Sequence, residues 1–260
     1  MRAPKLIYPL IFLLFLMVIV GATKTISKDA VTIQDQKRII PTSVTKSTTV
    51  PAFIQKINNK QPVTIIAYGD SITWGYIRDA SSGKVKQVKN PYPKVLEKEL
   101  RKKYGYNEIT VINKGHPGWT TIQALEFVEK EVLSYHPDLV ISMFGINDAR
   151  GHVKYSPNAS PNSVDDFKEN YQELVKVLKA NGLDTVILTA TTITSKKNNA
   201  HTAQEDYSRA VKSVAQEENI PYINGSTISI KGNLYDGVHF KADKYRLIAE
   251  KVMSGFFDTY

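Results

Sequence analysis

Cleavage of an acyl bond needs a nucleophile, a base and something to orient the base, and Ser71, His239 and Asp236 are candidates for those parts. Ser71 lies in "TIIAYGDSITWGY", residues 64–76, where an apolar run breaks off at Gly69-Asp70-Ser71. A serine hydroxyl is a weak nucleophile near neutral pH and needs a neighbouring base. Histidine suits that task because its pKa lies near the working pH, and a carboxylate on its other ring nitrogen sets tautomer and orientation. Asp236 and His239 stand three apart in "DGVHF", residues 236–240, so one short segment carries both. Of the other histidines, 116, 136, 152 and 201, only His116 also falls at the end of an apolar run. Gly-Asp-Ser is equally a common turn sequence, and Asp-x-x-His often caps a helix, so neither decides alone.

Attack by Ser71 would place negative charge on the carbonyl oxygen of the acyl group. Donors must already point there, and loss of one commonly costs about 100- to 1,000-fold in rate. Three groups qualify by type. One is the backbone N–H of Ser71, where a helix is predicted to start. Another is the N–H of Gly118, which follows Pro117 in "NKGHPGWTT", residues 113–121, and has no side chain to block a ligand. The third is the side-chain amide of Asn147 in "GIND", residues 145–148.

The elements that must hold these residues read as alternating strands and helices. "VTIIAY" (63–68), "EITVIN" (108–113), "DLVISMF" (138–144), "DTVILTA" (184–190) and "PYINGS" (221–226) are nearly continuous apolar runs, as expected of parallel strands covered on both faces. Helical patterns cover 92–105, 120–135, 163–182, 202–219 and 241–257. Ser163 before acidic residues and Asn181-Gly182 at the end mark the third helix most sharply. The alternation predicts an α/β domain with a doubly wound sheet of about five parallel strands. Sites in such sheets form beyond the carboxyl ends of the strands. Ser71, Gly118, Asn147 and the Asp236/His239 pair each fall at a different one of those ends.

In that order, "GDSITWG", "NKGHPGWTT", "FGIND" and "DGVHF" resemble the SGNH family of GDSL-type serine hydrolases over roughly residues 62–257. The resemblance implies a three-layer α/β/α, flavodoxin-like SGNH hydrolase fold and hydrolysis of acyl esters without a cofactor. It implies Ser71 as nucleophile, His239 as base and Asp236 as its orienter. It also implies an oxyanion hole made by Ser71, Gly118 and Asn147. Lys114 and His116 depart from the pattern inside the second block and bear on specificity. The other common serine-hydrolase elbow, Gly-x-Ser-x-Gly, is excluded by Thr73 at its last position. No metal is expected, since the histidines are scattered without ligand spacing.

Charge and composition narrow the setting. Residues 1–60 carry nine basic and two acidic residues, a net +7 of the total +9, so the body contributes only +2. Nucleic-acid binding would require a basic patch on the folded domain, and the body gives no reason to expect one. Arg2 and Lys5 precede the apolar run "LIYPLIFLLFLMVIVGA", residues 6–22, with Val20-Gly21-Ala22 as a small-residue cleavage site. The segment reads as either a cleaved signal peptide or an uncleaved membrane anchor, and both deliver the body outside the cytoplasm. Residues 23–60 read as a basic Ser/Thr/Lys-rich linker, suited to contact with anionic cell-envelope polymers or simply solvated, and 61–260 as the hydrolase domain. The absence of cysteine rules out disulfides and a lipid-modified cysteine.

For substrate binding the expected residues are Trp74, Tyr76, Trp119 and His116, with Tyr155 on a further loop. The loops 77–90, 149–163 and 191–201 are polar, which suits a sugar better than a long acyl chain. The expected activity is therefore removal of O-acetyl or similar small acyl groups from an extracellular or cell-surface polysaccharide. A lysophospholipase, or a short-chain esterase or thioesterase, is the alternative among enzymes. A glycan-binding module with a silent site is the alternative outside them.

Overall fold

The computed structural model describes residues 50–79, 81–150, 163–194 and 200–260. In chain order its elements are α1 (Ala52–Asn58), β1 (Val63–Gly69), α2 (Ser71–Trp74), β2 (Tyr76–Arg78), β3 (Val85–Gln87) and α3 (Tyr92–Tyr104). There follow β4 (Ile109–Gly115), α4 (Thr121–Glu126), α5 (Val128–Glu131), β5 (Leu139–Met143), α6 (Ile146–Ala149) and α7 (Val164–Ala180). The last are β6 (Asp184–Leu188), α8 (Ala200–Glu217), β7 (Tyr222–Ile223) and α9 (Arg246–Gly255).

Five strands form one parallel sheet in the order β4-β1-β5-β6-β7. Counting sheet strands alone, this is the flavodoxin-like 2-1-3-4-5 order, whose switch point lies between β1 and β5. Alternate residues of each strand face opposite layers. Ile65 and Ala67 of β1 and Ile141 of β5 join Phe53 of α1, Leu96 and Leu100 of α3 and Val252 of α9 in one core. Ile66 and Tyr68 of β1 and Val140 of β5 face the other way, against Ala124, Val128, Phe167, Tyr171 and Val211 of α4, α5, α7 and α8. Burial on both faces is why these strands carry unbroken apolar runs. The result is the expected three-layer α/β/α architecture.

Several boundaries differ from the sequence reading. The linker assigned through residue 60 includes α1, which buries Phe53, Ile54 and Ile57, so the packed body begins before residue 61. The helix expected over 120–135 is broken at Phe127, whose ring lies 5.3 Å from that of Trp119, and ends in a 3-10 turn at Leu133–Tyr135. The segment read as a polar loop at 77–90 contains most of an antiparallel hairpin, with Tyr76 opposite Gln87 and Arg78 opposite Val85. The helix expected from 241 starts at Arg246, after turns. Among the described residues no helix is long and apolar enough to cross a membrane, and the apolar run 6–22 lies outside them.

Two glycines let the site assemble. Gly69 and Gly115 sit opposite each other at the ends of β1 and β4, and Gly69 is also level with Met143 of β5. A Cβ on Gly69 would lie 2.1 Å from Thr73 Oγ1, and one on Gly115 would lie 2.1 Å from the backbone nitrogen of Trp74. Helix α2 therefore lies directly on both strand ends, and any side chain there would lift Ser71 out of place. Asn113 completes the seat: its side-chain amide donates to the carbonyl of Thr73 (3.0 Å), and its Oδ1 accepts from the N–H of Gly115 (2.9 Å).

Candidate active site

Because β1, β4 and β5 end level, the residues that follow each of them meet along one edge of the sheet. Ser71 is the first residue of α2, and Asp70 caps that helix, with its Oδ1 accepting from the N–H of Ile72 at 2.8 Å. The N–H of Ser71 has no hydrogen-bond acceptor among the described residues, as expected at the first position of a helix. Ser71 is buried, and its Oγ lies 2.9 Å from Nε2 of His239.

His239 is carried on a tightly closed loop that follows β7, the edge strand of the sheet farthest from β4. Leu234 and Phe240 form a β-bridge, the N–H of Tyr235 donates to the carbonyl of His239 (3.0 Å), and Gly237 turns with φ +82°. The N–H of Thr194 donates to the carbonyl of Gly237 at 2.7 Å and ties the loop to the chain after β6. Inside it, Asp236 Oδ1 accepts from the N–H groups of Val238 (3.0 Å) and His239 (2.7 Å), while Oδ2 lies 2.7 Å from His239 Nδ1. Burial works against ionisation of Asp236. The imidazole N–H and the two backbone donors outweigh it and hold the carboxyl well below the usual carboxylate range. An ionised Asp236 only accepts, so Nδ1 carries a hydrogen and Nε2 is left to receive the proton of Ser71.

Gly118 occupies the third position of a type II turn over residues 116–119. Pro117 stands at the second position, φ of Gly118 is +87°, and the N–H of Trp119 donates to the carbonyl of His116 at 3.1 Å. The N–H of Gly118 has no acceptor among the described residues. Asn147 lies on α6, immediately after β5, and its Nδ2 donates to the carbonyl of Trp119 at 2.8 Å. Asp148 binds the turn to α6 a second time, through 3.0 Å and 2.7 Å bonds from the N–H and Oγ1 of Thr121. The second and third sequence blocks thus form one hydrogen-bonded unit beside Ser71.

The aromatic residues expected to bind substrate are placed differently from one another. The ring of Tyr76 stacks on His239, 4.2 Å away and inclined by 25°, and Trp74 lies tilted 6.4 Å from Tyr76. The hairpin of β2 and β3 therefore abuts the loop that carries Asp236 and His239, and Tyr245 fixes it by donating to the carbonyl of Tyr76 at 2.7 Å. Trp119 stacks on His116 at 3.8 Å and 15°, with further ring contacts to Tyr68 and Phe127, so its ring belongs to the wall of the turn. His116 Nε2 lies 3.2 Å from Glu131 Oε2, which also accepts from Lys114 at 3.0 Å. Burial lowers the pKa of His116, with Glu131 opposing. Tyr155 lies outside the described residues.

Three contributors escaped the sequence reading. Tyr235, whose ring lies 6.0 Å from His239 and nearly parallel to it, precedes Asp236 and was within reach of the motif. Glu131 and Asp70 gave no such signal. Asp70 is 2 % exposed, and burial, reinforced by nearby Asp148 and opposed by the N–H of Ile72, pushes its pKa up to about 7. A carboxyl raised in the folded state makes folding take up a proton. Its contribution is fully favourable below about pH 4 and is lost as pH rises toward 7. Asp70→Asn keeps the cap and removes this dependence. Relative to the parent, its unfolding free energy is expected to rise between pH 4.5 and 8 by up to about 3 kcal/mol. Urea unfolding at the two pH values measures the change, and an unchanged difference would contradict it.

The chain matches the model of the GDSL-like lipase/acylhydrolase family over residues 67–247. Among solved structures, it is similar to an acetyl xylan esterase at 21% identity, with a TM-score of 0.60, 75% of this chain covered and 100% of that one. It is similar to a lipase/acylhydrolase from Enterococcus faecalis at 27% identity, with a TM-score of 0.59 and 74% and 94% covered. A catalytic mutant of an acetylxylan esterase from Geobacillus stearothermophilus gives 21% identity, a TM-score of 0.59 and 74% and 93% covered. No curated protein sequence matches.

Proposed function

Since this chain belongs to the GDSL-like lipase/acylhydrolase family and is a serine hydrolase of ester bonds, we propose that it is exported and removes small acyl groups, chiefly O-acetyl, from a cell-surface or extracellular polysaccharide. The observation that carries the chemistry is the relay from Ser71 Oγ to His239 Nε2 (2.9 Å) and from His239 Nδ1 to Asp236 Oδ2 (2.7 Å).

In the proposed reaction, Ser71 Oγ attacks the acyl carbon as its proton passes to Nε2 of His239. The carbonyl oxygen becomes an anion, received by the N–H groups of Ser71 and Gly118 and by Nδ2 of Asn147. Collapse breaks the bond to the sugar oxygen, which leaves as an alcohol with the proton from Nε2. Water then attacks the acyl-serine with His239 again as base. The acid is released and Ser71 regains its proton. Asp236 stays ionised and stabilises the imidazolium in both halves.

Two of the similar structures are titled acetyl xylan or acetylxylan esterases, and the hairpin beside His239 is mostly exposed and polar, with Arg78 donating to the hydroxyl of Tyr76. Export rests on residues 1–22, and the basic segment after them suits an anionic cell envelope. The Enterococcus faecalis lipase/acylhydrolase, the most identical of these three, favours a second reading on lipid or other short-chain esters.

Rates on p-nitrophenyl acetate, butyrate and octanoate separate the two readings. For the deacetylase, kcat/KM is expected to fall at least about tenfold from acetate to octanoate, since a site shaped for acetyl gives the longer chain no pocket and misfit of extra methylenes costs about 1 to 3 kcal/mol. Release of acetate from an acetylated polysaccharide should accompany that fall. Preference for octanoate would move the assignment to lipid esters.

A further inference from the structure

We infer that His116 is a positioning residue for the oxyanion site, acting through its stack on Trp119 to hold the Trp119 carbonyl and, through it, the amide of Asn147. The inference rests on the proposed reading of Gly118 and Asn147 as donors and goes beyond it.

The turn that carries Gly118 begins at His116 and ends at Trp119, and the rings of those two residues lie face to face at 3.8 Å. The turn is thus closed twice, by the backbone bond from Trp119 to His116 and by the stacked rings outside it. A glycine at φ +87° imposes little stiffness of its own, so the rigidity must come from its neighbours. The Trp119 carbonyl takes one hydrogen of the Asn147 amide at 2.8 Å, which sets the plane of that amide and leaves the second hydrogen for the substrate. A shift of Trp119 would therefore disturb Gly118 and Asn147 together.

His116 is itself anchored at both ends. Its N–H donates to the carbonyl of Gly69 at 2.8 Å, one residue before Asp70. Its Nε2 donates to Glu131 at 3.2 Å, because an ionised carboxylate only accepts. Glu131 is buried and held by Lys114, which also reaches the hydroxyl of Tyr135 at 2.7 Å. Trp119 keeps its contacts to Tyr68 and Phe127 when His116 is removed, so the expected damage is to the alignment of the turn more than to the fold. Donors that must reorient during the reaction lose much of their catalytic value.

The test is a double-mutant cycle on the full-length protein with p-nitrophenyl acetate, with Ser71→Ala as the control. His116→Ala is expected to lower kcat by about 10- to 100-fold, with KM within about threefold, and Asn147→Ala by about 100- to 1,000-fold. The double variant is expected to fall short of the product of the single losses by about tenfold or more, since both act on one unit. His116→Phe keeps a ring on Trp119 but loses Glu131. It should cost about three- to tenfold and, combined with Asn147→Ala, add little or nothing to the loss of Asn147→Ala alone, so it decides the matter if His116→Ala does not fold. Multiplicative losses, or a kcat for His116→Ala within about twofold of the parent, would overturn the inference while leaving the catalytic reading intact. Turnover that survives Ser71→Ala would overturn that reading and this inference with it.

Discussion

Replacing Ser71 by alanine is expected to lower kcat on p-nitrophenyl acetate by at least about 10⁴-fold, because removal of the nucleophile from a catalytic relay costs about that or more. The reason lies in the two distances on either side of His239. In the proposed reaction Oγ of Ser71 lies 2.9 Å from the nitrogen that takes its proton, and that nitrogen is left as the acceptor because the other one donates to Asp236. Alanine leaves the donors at Gly118 and Asn147 in place but gives them no tetrahedral adduct to stabilise. The change should be almost silent for folding. One hydrogen bond is lost, about 1 kcal/mol, and the cap from Asp70 to Ile72 does not involve the Ser71 side chain. A variant that is fully folded by circular dichroism yet inactive is the expected pair of results. A kcat within about tenfold of the parent would mean that the ester is cleaved elsewhere.

Asp236→Asn is expected to cost about 10³- to 10⁴-fold in kcat, with KM little changed, because the equivalent change in a serine triad inverts the tautomer of the histidine. The carbonyl oxygen of an asparagine can still accept from the N–H groups of Val238 and His239, so the loop should close as before. Its NH₂ group then faces Nδ1 of His239 and donates to it. The ring hydrogen moves to Nε2, which can no longer receive the proton of Ser71. Stability should respond as well. A carboxyl whose pKa is depressed on folding stabilises the protein above about pH 4, and the contribution is lost as pH falls through the folded value. The variant is therefore expected to be less stable than the parent at pH 7, with the two converging in acid. Parallel assays of kcat and of urea unfolding check both halves. Full activity in the asparagine variant would remove Asp236 from the relay.

The parts of this arrangement legible in the sequence share one physical cause. Parallel strands buried on both faces must be apolar nearly throughout, so β1, β5 and β6 stand out, and the polar residues that follow them are conspicuous by contrast. The Asp236/His239 pair was legible because a three-residue spacing lets one loop make the whole contact. What escaped notice depends on contacts made across the fold. Helix α1 is only seven residues long, and its three buried residues have a meaning only once β1 and α9 lie beside it. The β2–β3 hairpin has three-residue strands, and all three residues of β3 are exposed, so no alternation marks it.

Tyr76 could be read as an aromatic for substrate, but its stacking on His239 joins residues far apart in the chain. Glu131 is an ordinary helical glutamate until the break at Phe127 brings α5 under His116. Its part in the site could not be inferred from spacing.

The most direct test of the central claim is covalent labelling of the full-length protein with an organic fluorophosphonate, followed by peptide mass spectrometry. The serine oxygen would displace fluoride from phosphorus and keep the phosphonyl group. The arrangement of Ser71, His239 and Asp236 predicts one label per chain, on the peptide containing Ser71, with esterase activity falling in proportion and no labelling of Asp236→Asn at a comparable rate. Activity that persists after complete labelling of Ser71, or loss of activity with the label on a different residue, would contradict it.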